Sequence, residues 1–247
     1  MKLILGDSIS AMAELPEESI DMVMADPPYG TTQCKWDSVI PFEPMWTQLK
    51  RIVKPNGAIV LMAAQPFTSA LIMSNPKMFK YTWTWKKNKS TGFLNAKKQP
   101  LRSTEDIVVF YSKPPVYNPQ KTTGHKPVNS YTKHTSDGAT MGATTRGFTG
   151  GGQTDRYPTN VIEIPVVNND NSGEAKLHPT QKPVALMEYL ISTYSNIGDT
   201  VLDFTMGSGS TGIACSRLDR KFIGIDNDPH WVEVSKSRFT EVGVVVA

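Results

Sequence analysis

Ala25-Asp26-Pro27-Pro28-Tyr29-Gly30 follows the apolar run Ile20-Asp21-Met22-Val23-Met24. The run is short and β-compatible, so it reads as a buried strand. Two consecutive prolines forbid both a helix and a further ladder rung, so the backbone must leave the sheet at Asp26. A carboxylate and an aromatic ring are thereby left at the C-terminal edge of a strand, the edge where open α/β sheets bind ligands. The prolines also stiffen a backbone whose carbonyls can accept hydrogen bonds from a ligand. A rigid set of acceptors under an aromatic face suits a planar amine. The same residue types also build ordinary turns, so the rest of the chain has to decide between a turn and a site.

Working outward, apolar periodicity alternates between strand and helix. Residues 2–5 predict a short strand ending at Gly6-Asp7, with Ser8 or Ser10 capping a helix through Leu15 before Pro16. Residues 31–40 look irregular. Phe42, Met45, Trp46, Leu49 and Ile52 recur at helical spacing, and the helix stops before Pro55-Asn56-Gly57. Residues 58–62 predict a strand, 67–74 a helix, and the alternating Phe79, Tyr81, Trp83 and Trp85 another strand, followed by 107–111. After residue 176, Leu186, Tyr189, Leu190 and Tyr194 mark a helix, 200–203 a strand, the glycine-rich turn after it a helix through Leu218, 221–226 a strand, and 231–239 a closing helix. This is an α/β chain, and its 247 residues suffice for one substantial core.

The alternation dissolves between Pro114 and about Gly173 into Pro, Gly, Thr, Asn and Lys, a loop-rich insertion. The chain's net charge is only +3, yet the window 86–146 holds eleven basic residues against Glu105, Asp106 and Asp137. That window therefore carries an excess of eight positive charges, and the remainder of the chain is net negative. Such asymmetry predicts a polyanion met by one part of the molecule, with Lys86, Lys87, Lys89, Lys97, Lys98 and Arg102 as the candidate phosphate contacts. No stretch is long and apolar enough for a transmembrane helix, and Asp7 comes too early for a signal peptide's apolar segment, so a cytoplasmic protein is expected. Cys34 and Cys215 are far apart without metal-ligand spacing, which argues against a metal site.

The second chemistry-bearing stretch is Thr200-Val201-Leu202-Asp203-Phe204-Thr205-Met206-Gly207-Ser208-Gly209-Ser210-Thr211-Gly212, a strand running into a glycine-rich turn that opens a helix. Gly207, Gly209 and Gly212 match the dinucleotide fingerprint, and Asp226 falls about 20 residues on, where that motif places its ribose-binding acid. An NAD-dependent oxidoreductase is thus one reading. Glycines bring backbone close to a ligand, the helix N-terminus offers amides, and a carboxylate on the next strand accepts ribose hydroxyls. Asp203, however, would repel a pyrophosphate and suits the cationic ammonium and sulfonium of S-adenosylmethionine.

Asp26-Pro27-Pro28-Tyr29 resembles the catalytic motif of the DNA amino-methyltransferases, and Val201–Thr211 resembles their cofactor motif, usually Asp-Pro-Phe-x-Gly-Ser-Gly-Thr-Thr. Here Phe204 replaces the proline, Thr205 the phenylalanine and Ser210 a threonine. His178-Pro179-Thr180-Gln181-Lys182-Pro183 is similar to the stretch before that motif, Phe222-Ile223-Gly224-Ile225-Asp226 to the one after, and Leu5-Gly6-Asp7-Ser8 matches too. The catalytic stretch precedes the cofactor stretch, as in the circularly permuted beta class. Neither cysteine follows a proline, unlike the nucleophile of the cytosine-C5 enzymes. The likeness covers roughly residues 1–112 and 157–240.

The resemblance implies a Rossmann-like fold with a mixed, mostly parallel seven-stranded sheet, circularly permuted, in which the strand 2–5 lies beside the strand 221–226. It implies a catalytic half over 1–112, a target-recognition insertion over 113–175 and a cofactor-binding half over 176–247. S-adenosyl-L-methionine would be held by Asp7, His178, Thr180, Gln181, Lys182, Asp203, Phe204, Thr205, Gly207, Ser208, Gly209, Ser210, Thr211, Asp226 and Asn227. Of these, Lys182 lies toward the methionine end, Asp226 takes the ribose and Asp7 the adenine amine. Asp26, Pro27, Pro28 and Tyr29 would hold an exocyclic amine of a base flipped out of double-stranded DNA, with Tyr29 stacking on it. The implied activity is site-specific methylation of adenine N6, because the motif begins with Asp rather than the Ser more typical of cytosine-N4 enzymes, with methylation of cytosine N4 as the alternative. A bacterial or phage origin, a homodimer and a cognate restriction endonuclease belong to the same implication. A basic α/β module that binds DNA without transferring a methyl group is the non-enzymatic alternative.

Overall fold

The computed structural model describes residues 1–247 except 33, 35, 36, 133–146, 148, 168–175, 179 and 247. Pro179 and the charged residues Lys133, Asp137 and Arg146 of the basic window therefore lie outside the described residues. One compact unit comprises residues 1–118 and 160–247, and a second comprises 119–159.

The first unit is built on one sheet. Its strands are β1 (Lys2–Leu5), β2 (Ile20–Ala25), β3 (Val53–Ala63), β4 (Phe79–Thr91), β5 (Arg102–Phe110), β8 (Val161–Glu163), β9 (Thr200–Asp203) and β10 (Lys221–Asp226). They lie in the order β1-β10-β9-β2-β3-β5-β4-β8. All neighbours are parallel except β5, which runs antiparallel to both β3 and β4. β1 pairs with β10 in parallel, Leu5 opposite Asp226, as the permuted topology requires. The sheet has eight strands where seven were expected. The extra one, β8, adds three residues to the outer edge of β4, with Trp85 opposite Ile162.

Both faces of the sheet are covered, which is why its strands read as unbroken apolar runs. Met22, Met24, Ala58, Val60 and Met62 face one core with α4 (Val184–Tyr194), α5 (Ser210–Arg217) and α6 (Pro229–Glu241). Val23, Ala25, Ile59 and Leu61 face the other with α1 (Ser8–Ala13), α2 (Phe42–Ile52) and α3 (Phe67–Ser74). Successive residues alternate between the two cores, the period-2 signature of a strand. Asp7 accepts from the Ser10 amide at 2.9 Å and Asp228 from the His230 amide at 2.9 Å, starting α1 and α6. Strand β4 runs six residues past Trp85 because β5 pairs with it as far as Thr91 opposite Arg102. No helix among the described residues is long and apolar enough to cross a membrane.

The second unit has little regular structure. Strands β6 (Tyr131–Thr132) and β7 (Thr149–Gly150) form a two-residue antiparallel ladder. Lys121 pairs with Asp155 at 2.8 Å and lies 4.4 Å from the centre of the Tyr157 ring.

Gly212 shows how tightly α5 is seated. A Cβ there would lie 2.8 Å from the Phe222 ring and closer still to that of Phe239, both fully buried. Gly212→Ala is expected to cost about 1–3 kcal/mol by overpacking and to lower Tm by roughly 2–10 °C in a thermal unfolding scan. An unchanged Tm would contradict this packing.

Candidate active site

Strands β9 and β2 are parallel neighbours, with Met22 opposite Val201 and Val23 opposite Leu202. From this pair the connections diverge, β10 and β1 lying on one side and β3 on the other. That is a topological switch point, where two loops separate and leave a crevice. Asp203 closes β9 and Asp26 follows β2, so the two stretches singled out in the sequence meet across adjacent strand ends. The Asp26 charge is felt at both Asp203 and His178.

Asp26 is held from two sides. Tyr29 Oη donates to its Oδ1 at 2.6 Å, and Lys182 Nζ, from the segment leading into α4, donates to its Oδ2 at 2.6 Å. Lys182 also lies 3.4 Å from Glu105 Oε2, and Glu105 Oε1 takes Lys87 Nζ at 3.0 Å. Burial disfavours the Lys182 ammonium, but Asp26 and Glu105 outweigh it and raise its pKa, so it stays charged. Burial likewise opposes the Glu105 carboxylate, yet Lys182 and Lys87 hold it below its usual range. Burial and then the charges of Asp26, Glu105 and Asp106 push the Tyr29 hydroxyl well up, which keeps it a donor. The Tyr29 ring stacks on Phe67 at 5.2 Å between centroids, with Lys182 Nζ 5.7 Å from the ring centre. Pro27 is buried and Pro28 half-buried. The loop is tied down beyond them by Asp37, which accepts from the amides of Gly30 at 2.9 Å, Thr31 at 2.9 Å and Thr32 at 2.7 Å.

On the other side of the crevice, the glycine turn is wired by its own carboxylates. Asp203 accepts from the Thr205 amide at 3.1 Å and from Thr211 Oγ1 at 2.6 Å. Asp226 accepts from the Gly207 amide at 2.9 Å and the Asp228 amide at 3.0 Å. Gly207 and Gly209 have φ of +50° and +79°, and a Cβ at Gly209 would meet Ser235 Oγ at 2.8 Å. Ser235 Oγ donates to the Gly207 carbonyl at 2.8 Å, and Arg238 binds the Ser208 carbonyl at 2.9 Å and Ser210 Oγ at 3.2 Å. Burial pushes Asp203 up to about 7, against the hydrogen bonds from Thr211 and Thr205, with Asp26 and Asp226 adding to the rise. Burial also raises Asp226.

The turn fits S-adenosyl-L-methionine. Thr205 Oγ1 is buried with no hydrogen-bond partner among the described residues, and a Cβ on Gly207 would meet open space. Burial raises the pKa of both carboxylates that line the turn, and a cation bound beside them would favour their charged forms. Asp203, Thr205, Gly207 and Asp226 form the wall of this cradle. Asp7 and Asn227, both exposed, follow β1 and β10 at the same edge. His178 packs edge-on against Trp231 at 4.3 Å, its Nδ1 meets the Thr180 amide at 3.1 Å, and Gln181 Oε1 accepts from the Leu177 amide at 2.8 Å. Burial lowers His178, which favours its neutral form.

Two expected contacts look different in the structure. The Phe204 side chain is fully buried in the α1–α3 core, and its carbonyl accepts from Ser8 Oγ at 2.7 Å, so only its backbone borders the turn. Lys87, grouped with the phosphate contacts, has a side chain only 5% exposed and spends its charge on Glu105. Lys86, Lys89, Lys97, Lys98 and Arg102 are all exposed, Lys86 pairing with Glu163 at 3.0 Å. Glu105, Asp37, Phe67 and Trp231 escaped the sequence reading. Strand parity carried a signal for one part of it, since Trp83, Trp85 and Lys87 share the buried face.

The DNA methylase family model, which groups N6 and N4 methyltransferases, matches residues 20–237. The chain belongs to the DNA methylase family. It is 30% identical to the type II methyltransferase M.HpaI of Haemophilus parainfluenzae, over 96% of this chain and 73% of that one. It is 27% identical to M2.DpnII of Streptococcus pneumoniae, over 96% and 89%. Among solved structures, the M1.HpyAVI–SAM complex superposes with a TM-score of 0.64 at 25% identity, covering 96% of this chain and all of that one. The cytosine-N4-specific PvuII DNA methyltransferase shares the fold at a TM-score of 0.69 and 19% identity, covering 96% and 85%. The oxidoreductase reading of the glycine turn is set aside by this membership: the enzyme is a DNA methyltransferase that uses S-adenosyl-L-methionine.

If Asp203 meets the cationic end of the donor, it must ionise to do so, and donor binding becomes pH-dependent. Its folded pKa is raised, so the proton is held below about pH 7 and lost above it. Calorimetric titration with S-adenosylmethionine is expected to show affinity rising with pH up to about 7 and then levelling, with that component absent in Asp203→Asn. The same pH profile in both proteins would contradict the assignment.

Proposed function

We propose that this methyltransferase acts on the N6 amine of adenine, with Asp26 and the Pro27 carbonyl accepting the two N–H bonds of a base turned out of the duplex. The observation that carries the reading is the Asp26 carboxylate, fixed at 2.6 Å by both Tyr29 and Lys182 beside the Asp203 strand end. An exocyclic amine is a poor nucleophile because its lone pair is delocalised into the ring. Two fixed acceptors let the nitrogen pyramidalise and recover that pair, a stabilisation that grows toward the transition state. When bound, S-adenosyl-L-methionine supplies an electrophilic methyl group on a sulfonium.

Lys182 has a second part in the reading. Both Asp26 oxygens are engaged, so an entering amine must share Oδ2 with Lys182 or displace it toward Glu105, 3.4 Å away. Glu105 keeps the ammonium buried without leaving it unpaired while Asp26 changes partners. Tyr29, backed by Phe67, presents its ring to the base. Asp203 and Thr205 receive the methionine end of the donor, and Asp226 the ribose, with Gly207 giving the backbone its close approach. Lys89, Lys97, Lys98 and Arg102 meet phosphates, and residues 113–175 serve target recognition. The type II class of M.HpaI and M2.DpnII supports a restriction endonuclease of matching specificity as partner, acting on DNA in a bacterial cytoplasm.

The test is transfer of labelled methyl from S-adenosylmethionine to plasmid DNA, with nucleoside analysis of the product and mapping of the modified bases. N6-methyladenine is expected, and N4-methylcytosine would overturn the choice of base. Asp26→Ala is expected to lower turnover about a hundredfold or more while donor affinity stays within about threefold. Retained turnover would remove Asp26 from the reaction.

A further inference from the structure

The apolar tip of the connection between β4 and β5 is left without a task by the roles above. Gly92, at φ +92°, turns the chain into a single 3-10 turn, Phe93–Asn95. Phe93 and Leu94 stand there 68% and 102% exposed. The turn carries its own backbone bonds: Asn95 N to Gly92 O at 3.0 Å, Ala96 N to Phe93 O at 3.1 Å and Lys98 N to Asn95 O at 2.8 Å. Two adjacent apolar side chains are thus held in water by an ordered frame. Lys89, Lys97, Lys98 and Arg102 flank them along the chain, all exposed, and no acidic residue lies between 86 and 104.

An apolar tip inside a basic collar fits a partner with an anionic outside and an apolar, stacked interior. Topology selects which. Strand β4 parallels β3, which parallels β2, so the connection leaves the sheet at the edge that carries Asp26. The base of this hairpin also supplies Lys87 and Glu105 to the ion network around Lys182 and Asp26. From Lys87 to Phe93 the chain spans at most about 20 Å, against a major-groove depth of about 8.5 Å. The tip can therefore reach the base stack of a duplex docked over the site.

We propose that Phe93 and Leu94 form a wedge that enters the DNA stack beside the target nucleotide and fills the gap that nucleotide leaves. This rests on the reading that the substrate is a base turned out of double-stranded DNA. A flipped base forfeits its stacking on both neighbours, and apolar wedges between base steps replace part of that loss. The basic collar holds the adjoining phosphates without sequence preference.

The test uses the whole chain on synthetic duplexes carrying the mapped site, either fully paired or with an abasic position opposite the target base, where the stack is already open. The double variant Phe93→Ala, Leu94→Ala changes only exposed side chains. It is expected to lose about tenfold to a hundredfold in kcat/KM on the paired duplex, to come within about threefold of the parent on the abasic one, and to keep its donor affinity. Phe93→Trp should retain most of the activity. Equal loss on both duplexes, or no loss on either, would overturn the wedge while parental methyl transfer upholds the DNA reading. Failure of the parent to methylate any duplex would overturn both. Phe93-dependent sedimentation with phosphatidylserine vesicles, combined with undiminished activity of the double variant on paired DNA, would assign the tip to a membrane surface and contradict the proposal.

Discussion

The structure depends on the contact between β2 and β9. Their direct register is short, Met22 and Val23 opposite Val201 and Leu202, and it joins segments nearly 180 residues apart in the chain. Asp21 reinforces it from below, accepting the Thr200 amide at 2.9 Å while its other oxygen takes Lys54. Below the edge this pairing is apolar and buried on both faces. At the edge the chain can no longer continue as sheet, because Pro27-Pro28 ends one strand and the glycine turn ends the other. The crevice is the direct result. Two loops that part in opposite directions leave two carboxylates facing a common space.

Charge then decides what the space accepts. Asp26, Glu105, Asp203 and Asp226 line it or stand behind it, against Lys87 and Lys182. The two lysines are spent on Asp26 and Glu105, where they hold those carboxylates and are held by them. Among the described residues no lysine pairs with Asp203 or Asp226, and burial raises both. A cationic methyl donor satisfies that half of the crevice, whereas a pyrophosphate would be repelled from it. The other half offers acceptors and an aromatic ring, which is the complement of a planar amine. On the proposed reading, that asymmetry separates donor from acceptor.

Much of this was legible in the sequence because it is local. The doubly buried strands appear as apolar runs, the strand ends as Pro27-Pro28 and Gly207–Gly212, and the site as two short motifs whose members hold one another. Thr211 and Thr205 serve Asp203 from within eight residues, and Tyr29 serves Asp26 from three residues on. Interactions that need the tertiary fold were not legible. Lys182 reaches Asp26 across 156 residues and Glu105 reaches Lys87 across 18, and a charge count cannot say which lysine of a basic window turns inward. Phe204 was read with the motif around it, yet an apolar side chain beside a core strand goes to the core. The edge strand Val161–Glu163 is too short to show a period of its own.

The claim that one crevice at the ends of β9 and β2 holds both donor and acceptor is most directly tested by a crystal structure with sinefungin, which carries an amine where the donor carries its sulfonium methyl. The account predicts that ligand over the glycine turn, its ribose at Asp226 and its substituting amine directed toward Asp26. Sinefungin bound away from Asp203, or with that amine turned from Asp26, would contradict it.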